Sequence, residues 1–242
     1  MAHFYFLDAS SHISPGASVV LDGAEGRHAA TVSRLRVGES IRVGDGRGMI
    51  AQGTVTASSK DSLTITLDDV QHEAVDGAEL VLIQALAKTD RDERAVEMAT
   101  ELGVARVIPW MAERSVSRWD ATKADKGRQK WQSIAREASK QSIRAYIPLV
   151  EAVTTTDHIV STFEPRQLLV LDPTGRQSLS NVPLDDHTIA IVVGPEGGLS
   201  DTELSTFVEA GAHIVALGKN ILRTSTAGPA ALAVINGRLG RL

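Results

Sequence analysis

Five apolar runs, Leu80–Leu86, Val104–Trp110, Gln167–Leu171, Ile189–Val193 and His213–Leu217, punctuate the chain from residue 80 onward, and each ends in a turn. A run without polar alternation suits a strand buried on both faces. Between them lie segments of helical period. Asp90–Leu102 places Ala95, Met98, Ala99 and Leu102 on one side, and Asp120–Ile143 carries Trp131, Ile134 and Ala138 at i, i+3 and i+7. A final helix is expected over Thr224–Leu239, with Pro229 near its first turn. Alternating strands and helices predict an α/β fold, a mainly parallel sheet with helices on both faces.

Two of these runs empty into glycine turns. Gly194-Pro-Glu-Gly-Gly198 follows the fourth, and Leu217-Gly-Lys-Asn-Ile-Leu-Arg-Thr-Ser-Thr226 the fifth. Ligands of open α/β sheets sit where strand C-termini open into such turns, so the pair predicts one shared pocket. Gly197 and Gly198 permit positive φ or a close backbone approach. Ser200 and Glu203 have capping-box spacing and mark the start of the next helix. Ser225 or Thr226 is expected to cap the last one.

Residues 1–72 read differently. Phe4–Leu7, Ser18–Leu21, Ser40–Val43, Met49–Ala57 and Ser62–Leu67 are short segments rich in β-formers, with one helix expected over about Gly26 to Arg34. The acidic stretch Asp68–Glu79 is the expected linker. The division is therefore 1–72, a small β-barrel, and 73–242, the parallel-sheet domain.

The 242 residues contain no cysteine. That excludes disulfides, thiolate metal sites and cysteine nucleophiles, and with them pyrimidine C5 chemistry that proceeds through a covalent cysteine adduct. Methylation of a nitrogen or a ribose hydroxyl needs no such nucleophile. No apolar run reaches the roughly 20 residues of a membrane span, and the first residues lack the basic and apolar regions of a signal peptide. A cytoplasmic protein is expected. The net charge is −5, yet Arg27, Arg34, Arg36, Arg42 and Arg47 cluster in one segment and Arg114 to Arg144 carries nine cations. Two basic segments on an acidic chain suit an RNA track.

Several blocks carry a resemblance: His28-Ala-Ala-Thr-Val-Ser-Arg34-Leu-Arg36-Val-Gly38-Glu39, Lys88-Thr-Asp90-Arg91, Thr100-Glu-Leu-Gly-Val104, Glu113-Arg114-Ser115, Gln141-Ser-Ile-Arg144, Gly194–Gly198 and Leu222-Arg223-Thr224. In this order the chain resembles the SPOUT superfamily of S-adenosylmethionine-dependent RNA methyltransferases, and within it the bacterial 16S ribosomal RNA uridine-N3 methyltransferases (the RsmE family), which act on uracil-1498. Asn220 and Ser225 stand where members often have Arg and Glu, and Met98 where a Lys is common.

The resemblance implies a PUA-like β-barrel, a SPOUT domain with a C-terminal trefoil knot, and a homodimer. It implies an S-adenosyl-L-methionine site formed by Leu171, Asp172, Pro173, Gly194, Pro195, Glu196, Gly197, Gly198, Leu217, Gly218, Ile221, Leu222, Arg223, Ser225 and Thr226, with Glu196 and Arg223 as catalytic candidates. RNA contacts are expected from Arg27, His28, Arg34, Arg36, Lys88, Arg91, Arg114 and Arg144, the partner being 16S rRNA within the 30S subunit. No metal is expected. The alternatives are ribose 2′-O-methylation by another SPOUT branch, or a non-catalytic RNA-binding assembly factor.

Overall fold

The computed structural model describes residues 4–8, 12–75, 77–162, 167–184 and 186–242. The chain forms two units, Met1–Asp76 with Ser139–Ile147, and Gly77–Ala138 with Pro148–Leu242. The first therefore takes in a segment that the linear division at residue 72 leaves elsewhere.

In the first unit the sheet order is β1 (Phe4–Phe6), β3 (Ser40–Gly44), β4 (Met49–Ser58), β5 (Leu63–His72), β2 (Ser18–Leu21). β1 runs parallel to β3, and the remaining pairs are antiparallel. Alternation along β5 buries Leu63, Ile65 and Leu67 and turns Thr64 and Thr66 away, the period-2 pattern of a half-buried strand. Their core includes Val43, Val55 and Leu21. The helix expected over Gly26 to Arg34 starts earlier and is not regular. α1 (Gly23–Arg27) passes directly into a widened π turn over His28–Val32. Gly26 lies against the backbone of Leu21 and Asp61, where no Cβ fits. The acidic linker is also shorter than expected. β5 continues to His72 and β6 begins at Glu79, while Asp76 lies outside the described residues. Ser139–Ile147 is held to this unit by backbone bonds from Gly48 N to Ala145 O (3.1 Å) and from Ile147 N to Gly46 O (3.1 Å).

The second unit contains seven parallel strands in the order β10 (Gln177–Ser178), β12 (His213–Ala216), β9 (Gln167–Leu171), β11 (Thr188–Val193), β6 (Glu79–Ala85), β7 (Arg106–Trp110), β8 (Leu149–Val150). The helices are α2 (Arg91–Glu101), α3 (Ala121–Gln141), α4 (Thr156–Thr162), α5 (Asp201–Glu209) and α6 (Thr224–Arg238). Successive residues of β6 serve opposite faces. Leu80 and Leu82 join Val96, Leu232 and Ile235, whereas Val81 and Ile83 join Ile159 and Phe207. This is why the run reads as continuously apolar: both faces are covered. Arg106 ties the sheet's edge, its guanidinium forking onto Glu79 (2.8 and 3.1 Å) and reaching Glu151 (2.8 Å).

The capping box at Ser200 forms. Its hydroxyl accepts from Glu203 N at 3.1 Å, and Glu203 Oε2 accepts from Ser200 N at 2.9 Å. The caps expected at Ser225 and Thr226 do not form. Arg223 occupies the N-cap position of α6, without a side-chain cap bond, and Ser225 and Thr226 lie within the first turn. Pro229 falls just after the first turn. Among the described residues no helix is long and apolar enough to cross a membrane.

Candidate functional site

The C-terminal ends of β9, β11 and β12 open into one cavity of about 370 Å³, within the range of small-ligand sites. Leu171 ends β9, and Asp172 and Pro173 follow it; Gly194, Pro195, Glu196 and Gly198 follow β11; Leu217, Gly218, Ile221, Leu222 and Arg223 follow β12. All of them line it. Gly197, Ser225 and Thr226 do not. Gly197 backs onto Arg114, whose Cβ would lie 3.2 Å from an added methyl. Arg91, expected as an RNA contact, also lines it, as do Asn220 and Thr224 of the second glycine turn and the unforeseen Val193, Leu199, Val215 and Ala227.

Two glycines shape the walls. Gly198 takes φ +70 and Gly218 φ +147, conformations that L side chains rarely adopt, and a Cβ at either would project into open space. The requirement is therefore conformational and not one of room. Beside them, Leu171, Val193 and Leu217 provide an apolar wall, and Ile221 stands 80% exposed on the rim. An apolar side chain so uncovered beside a concave apolar surface suits a flat ring laid across it.

A buried relay fixes the turn after β11. Gln84 Nε2 donates to Thr224 Oγ1 at 2.8 Å, and Thr224 Oγ1 donates to the Gly194 carbonyl at 2.8 Å. Both side chains are buried, and these bonds offset part of the cost of removing their polar groups from water, Gln84 Oε1 having no partner among the described residues. A sequence signal existed, because Gln84 is the lone amide within the apolar run Leu80–Leu86.

Glu196 is tied rather than poised. Its Oε1 accepts from Lys88 N at 3.1 Å and from Arg91 Nη1 at 3.0 Å. Burial raises its pKa, but bonds from its own backbone and from Lys88, with the Arg91 guanidinium, outweigh this and hold it below the usual 4.5. The turn that presents Lys88 and Arg91 is strained, with Thr89 and Asp90 both left-handed at φ +55 and +58. Asp172 Oδ1 accepts from Thr174 N (2.8 Å) and Oγ1 (2.6 Å), closing the turn after β9. Among the described residues no group of three or more His, Asp or Glu side chains converges as metal ligands.

Residues 76–236 match the RNA methyltransferase domain family, and residues 21–68 match the RNA methyltransferase PUA domain family. A relative from Mycobacterium bovis called ribosomal RNA small subunit methyltransferase E is 37% identical over 91% of this chain and 86% of its own. This chain belongs to the ribosomal RNA small subunit methyltransferase E family. The Bacillus subtilis member is 29% identical, covering 96% of this chain and 95% of that one. The structure of the Neisseria gonorrhoeae member, bound to S-adenosyl methionine, superposes with a TM-score of 0.89 at 27% identity over 98% of both chains.

Seen as a family member, the chain divides its expected RNA contacts into two kinds. Arg27 at the end of α1, His28 at the start of the π turn, and Arg34 and Arg36 in the loop after it are exposed. Arg34 holds φ +55 there, and π turns and strained non-glycine residues concentrate at functional positions. Lys88 is exposed as well. The others have structural work. Arg91 binds Glu196, and Arg114 donates to Leu199 O (2.8 Å) and Gly197 O (3.4 Å), closing the glycine turn from behind. Burial drives the Arg144 pKa down to about 10 against the pull of Glu73.

Proposed function

We propose that the protein transfers a methyl group from S-adenosyl-L-methionine to N3 of a uracil (uracil-1498) in 16S rRNA of the small ribosomal subunit. The observation that carries this is the single cavity at the ends of β9, β11 and β12, lined by both glycine turns. Its residues fit the methyl donor. Leu171, Val193, Leu217 and Leu222 suit an adenine ring, the backbone at Gly194 and Gly218 suits its polar edge, and Arg223 at the start of α6 suits a carboxylate. Family membership and the donor-bound Neisseria gonorrhoeae relative support the same choice.

Bound there, the donor supplies a methyl already activated by its sulfonium, so the protein's task is mainly positioning, worth up to about 7–11 kcal/mol in favourable cases. Thr224 and Gln84 hold Gly194 in place, and Arg114 holds the opposite side of the turn. The uracil N3 proton must leave. Glu196, ionised and bound by Arg91, is a weak base and acts as a tie. Arg223 and the N-terminus of α6 place positive charge at the cavity, which lowers the cost of the deprotonated uracil, and the proton departs to water.

The same reading includes a C-terminal trefoil knot, a cytoplasmic location, RNA contacts by Arg27, His28, Arg34, Arg36 and Lys88, and a homodimer acting on the 30S subunit. Membership of the RNA methyltransferase domain family over residues 76–236 supports this wider reading. The small residues of α6 argue less for a dimer than their number suggests. Gly228 packs on Leu82 and Val193, and Ala231 is buried in the chain's own core. Calorimetry with S-adenosylmethionine tests the cavity, and sedimentation at micromolar concentration tests the dimer. A monomer with full activity contradicts the latter.

A further inference from the structure

Arg91 and Arg114 are bonded within the fold and Arg144 is half-buried, so part of the expected basic surface is committed to structure. Residues 113–130 nonetheless carry six cations against three carboxylates, in a chain whose net charge is −5. Four of those cations, Arg118, Lys123, Lys126 and Lys130, line a groove of about 500 Å³ together with Trp119 and Gly127.

The groove is built around its indole. Trp119 stands edge-on to the buried Trp131, with ring centroids 5.2 Å apart at 70°. Its other support is Gly127, where an added Cβ would lie 2.5 Å from the ring. Any larger residue at 127 would push the indole aside. Trp110 and Trp131 are fully buried, and Trp119 alone among the three tryptophans is half-exposed. A rigid, half-exposed aromatic ring among cations is the arrangement by which proteins hold single-stranded nucleic acid: a base stacks on the ring and the adjoining phosphates meet the cations.

The cations are available for this. Lys126 has no carboxylate partner among the described residues, and the Lys123–Asp120 pair is long (3.6 Å) and well exposed, so a phosphate displaces it at little cost. Lys130 pairs with Glu93, and Arg118 donates to the Glu113 carbonyl (2.9 Å), which steadies both at the groove wall. We infer that this groove is a second RNA subsite, separate from the methyl-donor cavity, which takes an unpaired nucleotide of the substrate with its flanking phosphates. The inference rests on the RNA methyltransferase reading above.

The test uses the full chain, a single-stranded RNA oligonucleotide and isolated 30S subunits. The double variant K123E/K126E is expected to lower oligonucleotide affinity at least about tenfold and to flatten its log–log salt dependence by about 1.4, with S-adenosylmethionine affinity and circular dichroism as in the wild type. RNA is expected to quench tryptophan emission in the wild type, and W119F, a conservative change that spares the packing on Trp131, is expected to abolish that quench. Wild-type affinity and salt slope in K123E/K126E, or a quench that survives in W119F, overturns the subsite. If the wild type binds the donor but neither binds RNA nor methylates 30S subunits, the enzymatic reading itself fails and the subsite with it. If the wild type does both and the variants match it, the subsite alone falls.

Discussion

Thr224 donates its hydroxyl hydrogen to the Gly194 carbonyl across 2.8 Å, joining the first turn of α6 to the residue that follows β11. The two are thirty positions apart in sequence, yet this bond and the one from Gln84 set the spacing between the glycine turns. Thr224→Val removes the donor and leaves a half-buried carbonyl and the buried Gln84 amide short of a partner. A loss of about 1–3 kcal/mol in urea unfolding is expected, with methyl-donor affinity down about tenfold by calorimetry. Thr224→Ser keeps the hydroxyl and should recover most of both. Equal donor affinity in wild type and Thr224→Val would remove the relay from the account.

Gly218→Val and Gly198→Val test the backbone directly. At φ +147 and +70 a β-branched residue is strained although space is open. Donor affinity should fall more than tenfold in each, while far-UV circular dichroism stays close to that of the wild type, since both glycines lie in turns outside the helices and strands. Undiminished affinity in both variants would mean that the turns do not shape the donor site.

Glu196 gives a prediction with a pH sign. Its pKa in the fold lies below the ordinary 4.5, so its ionised form is stabilised by folding. That contribution is fully present above about pH 4.5 and is lost as pH falls through the depressed value. Glu196→Gln should flatten this acid limb in unfolding experiments and raise the KM for the donor, leaving the neutral-pH profile of kcat unchanged. A kcat that collapses and loses its pH dependence in Glu196→Gln would instead make Glu196 the base.

Arg114 separates a structural role from an RNA role. Its guanidinium donates to Leu199 O and Gly197 O, so Arg114→Ala should weaken donor binding several-fold even without RNA. The same substitution, were Arg114 simply a phosphate contact, would leave donor affinity untouched and reduce only RNA binding and its salt slope.

The parallel sheet was legible because strands buried on both faces must be apolar throughout. Leu80–Leu86 and Ile189–Val193 therefore announced β6 and β11 to within a residue or two. The capping box was legible too, since Ser200 and Glu203 meet through strictly local bonds. β8 and β10, at two residues each, were not. Strands that short carry no period, and their neighbours in space define them. The same holds for Arg144. Nothing local distinguishes it from an exposed arginine, and it is half-buried where Ser139–Ile147 attaches to the first unit. Ser225 and Thr226 looked like caps because hydroxyls precede helices so often, but α6 begins one residue earlier, at Thr224, whose hydroxyl bonds across the cavity to Gly194. Of the cavity lining, the turns could be read from their glycines. The walls supplied by Val193, Val215 and Ala227 could not, because they also read as ordinary core.

The most direct test is mass mapping of the nucleosides produced when the purified chain is incubated with isotopically labelled S-adenosylmethionine and 30S subunits from cells that lack this activity. The account predicts label at one position of 16S rRNA, as N3-methyluridine, abolished by Gly218→Val. Label found as a ribose 2′-O-methyl group, or no label despite donor binding, would contradict it.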